Sequence, residues 1–225
     1  MKKAKLRKLI SFLAPFLMDI HYEGLENIPT EGPVLITTNH LSQIDIPVLF
    51  LNPVRQDLTA LVTDKYRNNI FITWFVKSAE GIWIDRTRAD FAAFQAAFEV
   101  FKQGHSLGIS PEGTRSKSGE LLEGKGGSIL LATKMDVPIV PVGLAGTESV
   151  ISMWKKLRKP SVTARFGPIY NLPQLDRNNR EEHTKELTDE IMCRIAACLP
   201  EKYHGYYRGH PRIREILEKQ NIQLP

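Results

Sequence analysis

Apolar and β-branched residues run unbroken over positions 34–38 and stop at a polar Asn39-His40 pair. Runs of this kind predict strands, and similar ones cover 58–63, 81–84, 107–109, 137–142 and 162–166. Between them the period changes. Phe91, Phe94, Phe98 and Phe101 recur at helical spacing across 90–103, with Gly104 as a stop signal. That stripe reads as a face turned to the core. Further helices are expected over 127–135 and 180–199. Strands alternating with helices predict one α/β domain, with a mixed, largely parallel sheet flanked by helices. No internal repeat, low-complexity tract or linker interrupts it.

The first twenty residues follow another pattern. Five basic residues fall in the first eight, and Leu6, Leu9, Ile10, Leu13, Phe16 and Leu17 follow at helical spacing. The apolar run is about half the ~20 residues that span a bilayer. It also lacks a small-residue cleavage site, so a secretory signal fits poorly. Residues 1–20 are therefore expected to form a basic amphipathic helix on an anionic membrane surface, peripheral or monotopic on the cytoplasmic face. A terminal helix packed on its own domain is the alternative. The domain proper is expected over 21–200, and 201–225 forms a basic, aromatic tail.

Composition narrows the class. The 225 residues are 42% hydrophobic and 24% charged, ordinary for a globular chain, and the net charge of +5 favours an anionic partner. Two cysteines, Cys193 and Cys198, are too few for a disulfide framework. A reducing compartment follows.

The stretch TTNHLSQIDIP delivers His40 to a loop directly after a strand, where ligands gather in open α/β sheets. A neutral imidazole there can take a proton near neutral pH, and a carboxylate can hold its other nitrogen. Asp45 follows five positions later, so the strand-to-helix turn must bring the two together. A second reading stays open, in which Ser42 and Asp45 form a capping box at a helix start. GISPEGTRSKSGE comes straight off the strand at 107–109, and GIWIDRTR off the strand at 81–84. Gly113 permits close backbone approach, and Arg115 and Arg86 can clamp a phosphate. Lys65, in a turn after the strand at 58–63, is placed to reach a headgroup or simply to face water.

The segments NHLSQID, EGIWIDR, SPEGTRS and VPIVPVG occur in this order, and over residues 20–170 the chain resembles the glycerolipid acyltransferases, the lysophosphatidic acid acyltransferases above all. The resemblance implies a single α/β domain that binds membranes. It implies that His40 is the catalytic base, with Asp45 its partner. Arg86 and Arg115 would bind the substrate phosphate, in a site shaped by Glu112, Gly113 and Thr114. Val137, Pro138, Ile139, Val140 and Pro141 would border the acyl chain. The implied reaction moves an acyl group from acyl-CoA or acyl carrier protein to a lysophospholipid hydroxyl, with no metal or other cofactor. Two departures stand out. Ser110 occupies the position where the family usually has phenylalanine, and the N-terminal extension has room for one helix and not two.

Other features read more plainly. GELLEGKGG lacks the serine or threonine that a phosphate-binding P-loop needs after its lysine. GTESV lacks the spacing of a nucleophile elbow. WKKLRKP, from Trp154, is a candidate lipid contact or a solvated loop. The tail KYHGYYRGHPRIR carries no nucleic-acid motif, and His204 and His210 are expected at the surface. The rival readings are an acyltransferase for another lysolipid or a glycolipid, an ester hydrolase, and a non-catalytic lipid-binding protein.

Overall fold

The computed structural model describes residues 2–85, 91–176 and 178–220. These form a seven-stranded sheet in the order β1-β7-β6-β2-β5-β3-β4. The strands are β1 (Asp19–Glu23), β2 (Val34–Thr38), β3 (Thr59–Thr63), β4 (Ile82–Ile84), β5 (Ser106–Ile109), β6 (Ile139–Ala145) and β7 (Ser161–Phe166). β6 and β7 run antiparallel, while the other pairings between these strands are parallel. The sheet is thus mixed and largely parallel, as expected.

The helices are α1 (Lys3–Leu17), α2 (Asp45–Phe50), α3 (Ile70–Ser78), α4 (Phe91–Lys102), α5 (Gly127–Met135), α6 (Val150–Lys155), α7 (Arg180–Ala197) and α8 (Pro211–Gln220). β2 is buried along its whole length, because helices cover the sheet on both faces. Its side chains alternate between two cores. Leu35 joins Leu107, Ile129, Ile191 and Ile195, beneath α5 and α7. Val34 and Ile36 join Val48, Val140, Val142 and Val162 on the opposite face.

α1 packs on its own domain by one face and leaves an apolar face outward. Its inner face is seated, with Leu6 fully buried against Phe50 and Ala79. The Arg7 guanidinium donates to the carbonyls of Phe50, Leu51 and Asn52 and so caps the end of α2. Its outer face leaves Leu9, Phe12, Leu13, Phe16 and Leu17 exposed. Among the described residues no helix is long and apolar enough to cross a membrane. Trp154 donates its indole N–H to the Leu17 carbonyl at 2.6 Å and pins the end of α1.

The aromatic segment after α7 packs into the domain. Tyr203, Tyr207, Ile213 and Ile216 belong to the larger core, and Arg212 grips Glu190 through both carboxylate oxygens. His204 is buried and not at the surface, with Nε2 3.1 Å from the Leu199 carbonyl. The turn that follows α7 folds it inward together with Tyr203. His210 is half-buried.

Candidate active site

β6, β2, β5, β3 and β4 are mutually parallel neighbours, so their carboxyl ends share one edge of the sheet. That edge gathers His40 after β2, the loop 110–116 after β5, Thr147 after β6 and Lys65 after β3. Ligands bind at this edge in open α/β sheets. β2 lies between β5 and β6, so His40 projects between their two loops.

The strand hands over to the loop through Asn39. Its side chain donates to the Leu144 carbonyl and accepts from the Leu144 N–H, both at 2.8 Å, like one more rung between β2 and β6. His40 comes next. Its backbone N–H donates to Glu112 Oε1 at 2.8 Å and its carbonyl accepts from Ser116 N–H at 2.9 Å, which joins the β2 and β5 loops. The imidazole Nδ1 lies 2.8 Å from Asp45 Oδ2.

Asp45 begins α2 and is buried. Besides the imidazole, its Oδ2 accepts the N–H groups of Leu41 and Ser42, and its Oδ1 accepts the Thr147 hydroxyl at 2.5 Å. Three donors and the imidazole converge on one carboxyl group, the pattern expected of a carboxylate. An ionised Asp45 accepts from Nδ1–H, which leaves Nε2 of His40 as the proton acceptor. The capping reading holds in one half only. Asp45 Oδ2 accepts the Ser42 N–H, but Ser42 Oγ accepts from Ile44 N–H at 3.0 Å, and Ile44 stands at the N-cap of α2 with no side-chain cap bond.

Glu112 is buried, and each of its oxygens accepts a backbone N–H, from His40 and from Leu122 at 2.9 Å. It ties loops together and does not face the open site. Burial pushes its carboxyl up to about 7; the two N–H donors oppose that rise, and the neighbouring Asp45 adds to it. Gly113 has φ +67°, and a Cβ there would meet only the flexible Lys125 side chain, at 3.2 Å. The left-handed turn, more than crowding, calls for glycine.

Arg115 donates to the Tyr66 hydroxyl at 2.6 Å, and Lys65 lies 4.9 Å from the same ring. Both cations, with Thr114 and Tyr66, rim an outer cavity of about 240 Å³ that reaches His40. An inner cavity of about 70 Å³ continues from it, sharing His40, Ile46, Leu61, Val62, Phe75 and Val76. The inner walls are mostly apolar and small, including Ala60, Ala79, Gly81, Gly108 and Ser110. His40 thus stands between a cationic rim and an apolar slot.

The expected residues divide accordingly. His40, Asp45, Lys65, Thr114 and Arg115 come together, and Glu112 and Gly113 shape the loop beneath them. Arg86 lies outside the described residues. Val137, Pro138, Ile139, Val140 and Pro141 line neither cavity. Val137 and Ile139 point into one core and Val140 into the other, because a central strand with helices on both faces has no side chain to spare for a pocket. The apolar slot is built by β3, α2 and α3 instead. Sequence reasoning missed Asn39, Tyr66 and Thr147. Tyr66, beside Lys65, had an aromatic next to a cation as its signal; Thr147 sat in the GTESV segment set aside as a nucleophile.

Fold and site together define an α/β protein whose His40–Asp45 pair opens on a cavity with cations at its rim and an apolar inner end. The chain belongs to the acyltransferase family, whose sequence pattern matches residues 19–145. It is 29% identical over 175 residues to the 1-acyl-sn-glycerol-3-phosphate acyltransferase of Borreliella burgdorferi, covering 76% of this chain and 70% of that one. It is 32% identical over 157 residues to the chloroplastic 1-acyl-sn-glycerol-3-phosphate acyltransferase BAT2 of Brassica napus, covering 66% and 43%. To the 1-acyl-sn-glycerol-3-phosphate acyltransferase of Saccharomyces cerevisiae it is 33% identical over 141 residues, covering 60% and 46%. The chain therefore spans less than half the length of the plant and yeast relatives. The crystal structure of the 1-acyl-sn-glycerophosphate (LPA) acyltransferase PlsC from Thermotoga maritima shares the fold, with a TM-score of 0.64 at 22% identity over 99% of this chain and 81% of that one.

Proposed function

We propose that this protein transfers a fatty acyl group from an acyl thioester to the free hydroxyl of 1-acyl-sn-glycerol 3-phosphate, giving phosphatidic acid. The observation that carries the reading is the 2.8 Å contact of His40 Nδ1 with Asp45, which turns the other imidazole nitrogen toward a space with a cationic rim and an apolar slot. Nε2 removes the hydroxyl proton as that oxygen attacks the thioester carbonyl carbon. The carbon–sulfur bond breaks, the ester forms, and the proton passes from Nε2 to the departing thiolate. General-base help of this kind is worth ~10²–10⁴ in rate. The chemistry draws on no metal or nicotinamide; acyl-CoA or acyl carrier protein is the co-substrate.

Arg115 and Lys65 receive the phosphate of the acceptor, and the inner slot receives apolar chain. The outward face of α1, with Lys2, Lys5 and Lys8 exposed beside it, seats the protein on the cytoplasmic face of an anionic membrane. The deciding assay is thiol release from palmitoyl-CoA in detergent micelles, with and without lysophosphatidic acid, for the native protein and His40→Ala. Acceptor-dependent release that disappears in the variant supports the reading. Release indifferent to acceptor identifies a hydrolase. A His40→Ala protein of native activity removes the general base from the mechanism.

A further inference from the structure

A second apolar surface lies beside the mouth of the site. Ile70, Phe71 and Trp74, on the first two turns of α3, are 76%, 80% and 46% exposed. The end is not frayed. Asn69 caps it by accepting from Phe71 N–H and Ile72 N–H, and Thr73 Oγ1 donates to the Arg67 carbonyl. Val76, on the opposite side, is buried. Large apolar side chains scattered singly over a surface need no explanation, but three within two turns of a capped helix form a patch.

The same helix walls the site. Phe71, Ile72, Phe75 and Val76 line the outer cavity, while Ile70 and Trp74 line neither cavity. α3 also adjoins α1, since Phe75 packs against Leu6, Phe50 and Ala79, and Lys3 lies 3.9 Å from Glu80. Exposed Lys65 and Arg67 precede the patch and Lys77 follows it. The nearby acids are Asp64 and Glu80, the latter facing Lys3. Apolar side chains bracketed by cations match an anionic lipid surface.

We infer that α3 is a second membrane-docking element, which holds the mouth of the site against an anionic bilayer so that the lysolipid enters from the lipid phase with its phosphate arriving at Lys65 and Arg115. This rests on the function proposed above. The geometry gives α3 two faces with two tasks: Phe71 and Phe75 border the path to His40, and Ile70 and Trp74 enter the bilayer surface.

The test uses the full chain, comparing native protein with the double variant Ile70→Glu, Trp74→Glu. Co-sedimentation is measured with phosphatidylcholine vesicles with and without phosphatidic acid. Turnover is measured with long-chain lysophosphatidate in those vesicles and with a short-chain, monomeric lysophosphatidate. The expected result is at least about a tenfold loss of binding to the anionic vesicles and of vesicle turnover, from two apolar side chains no longer buried. Monomeric turnover stays native, which also shows that the variant folds. Native-like vesicle binding by the variant overturns the inference, as does an equal loss on both substrates, which would make α3 part of the site alone. If the native protein turns over neither lysophosphatidate, the proposed function fails, and vesicle binding still decides the role of α3.

Discussion

Thr147 Oγ1 donates to Asp45 Oδ1 at 2.5 Å across 102 positions of sequence, with both residues buried. The bond fixes the carboxylate from the side opposite His40, so the loop after β6 helps to aim a histidine delivered by β2. Thr147→Val keeps the shape and removes the donor. A hydrogen bond to a charged group is worth about 1.5–3 kcal/mol. kcat is therefore expected to fall about ten- to hundredfold with KM for both substrates nearly native, and Thr147→Ser should restore most of it. Steady-state kinetics beside a thermal melt checks this. Equal losses in the serine and valine variants would assign Thr147 to packing.

Glu112 makes stability depend on pH. Its carboxyl is raised from the usual 4.5 to about 7, chiefly by burial. Between those values the unfolded chain gives up the proton while the native state keeps it, so native stability falls through that window and levels off above it. One unit corresponds to about 1.4 kcal/mol, which bounds the effect at about 3 kcal/mol. Glu112→Gln removes the titration and turns an amide N–H toward a backbone N–H. Urea unfolding at pH 5 and pH 8 should show the native protein losing its advantage over this variant at the higher pH. A constant difference between the two would mean that the carboxyl is ionised throughout.

The strands that carry the site were legible in the sequence because their apolar runs end in abrupt polar residues. α5 appears with the bounds its pattern predicts, Gly127–Met135. β1 was missed because it is an edge strand, with no residue fully buried. α3 was missed because Ile70, Phe71, Ile72, Trp74 and Phe75 are apolar on every side and show no 3.6 period. The His40–Asp45 pair was visible because one turn contains it. The Asp45–Thr147 and His40–Glu112 bonds were not, since only the sheet order brings those loops together. The 137–141 run lines neither cavity beside His40 for a related reason: β6 is apolar because it is central, and an apolar central strand looks the same in sequence as a pocket wall.

Arg115 and Tyr66 divide binding from orientation. Arg115→Gln removes the cation from the rim and is expected to raise KM for lysophosphatidate about ten- to hundredfold with a smaller change in kcat, a charge-assisted phosphate contact being worth about 1.5–3 kcal/mol. Tyr66→Phe leaves the charge and removes only the 2.6 Å bond that aims it, so a several-fold smaller rise in KM is expected. Arg115→Lys should fall between them, because a lysine cannot reproduce the planar fork. Titrating the acceptor at saturating thioester separates the three. An unchanged KM in Arg115→Gln would move the phosphate elsewhere on the rim.

Ser110 tests which cavity takes the acyl chain. Its hydroxyl is buried with no hydrogen-bond partner among the described residues, and it lines the inner slot with Gly108 and Thr38. The family resemblance leads one to expect phenylalanine here, and a ring at this position would project into the slot. If the slot holds the donor's chain, Ser110→Phe shortens it. Turnover of a palmitoyl thioester should then fall about tenfold relative to a decanoyl thioester, since each methylene in an apolar pocket carries about 1–3 kcal/mol of discrimination. Ser110→Ala, which removes an unpartnered hydroxyl and adds no bulk, should leave the ratio native. A ratio unchanged in Ser110→Phe would place the chain along the outer cavity beside Phe71 and Ile72.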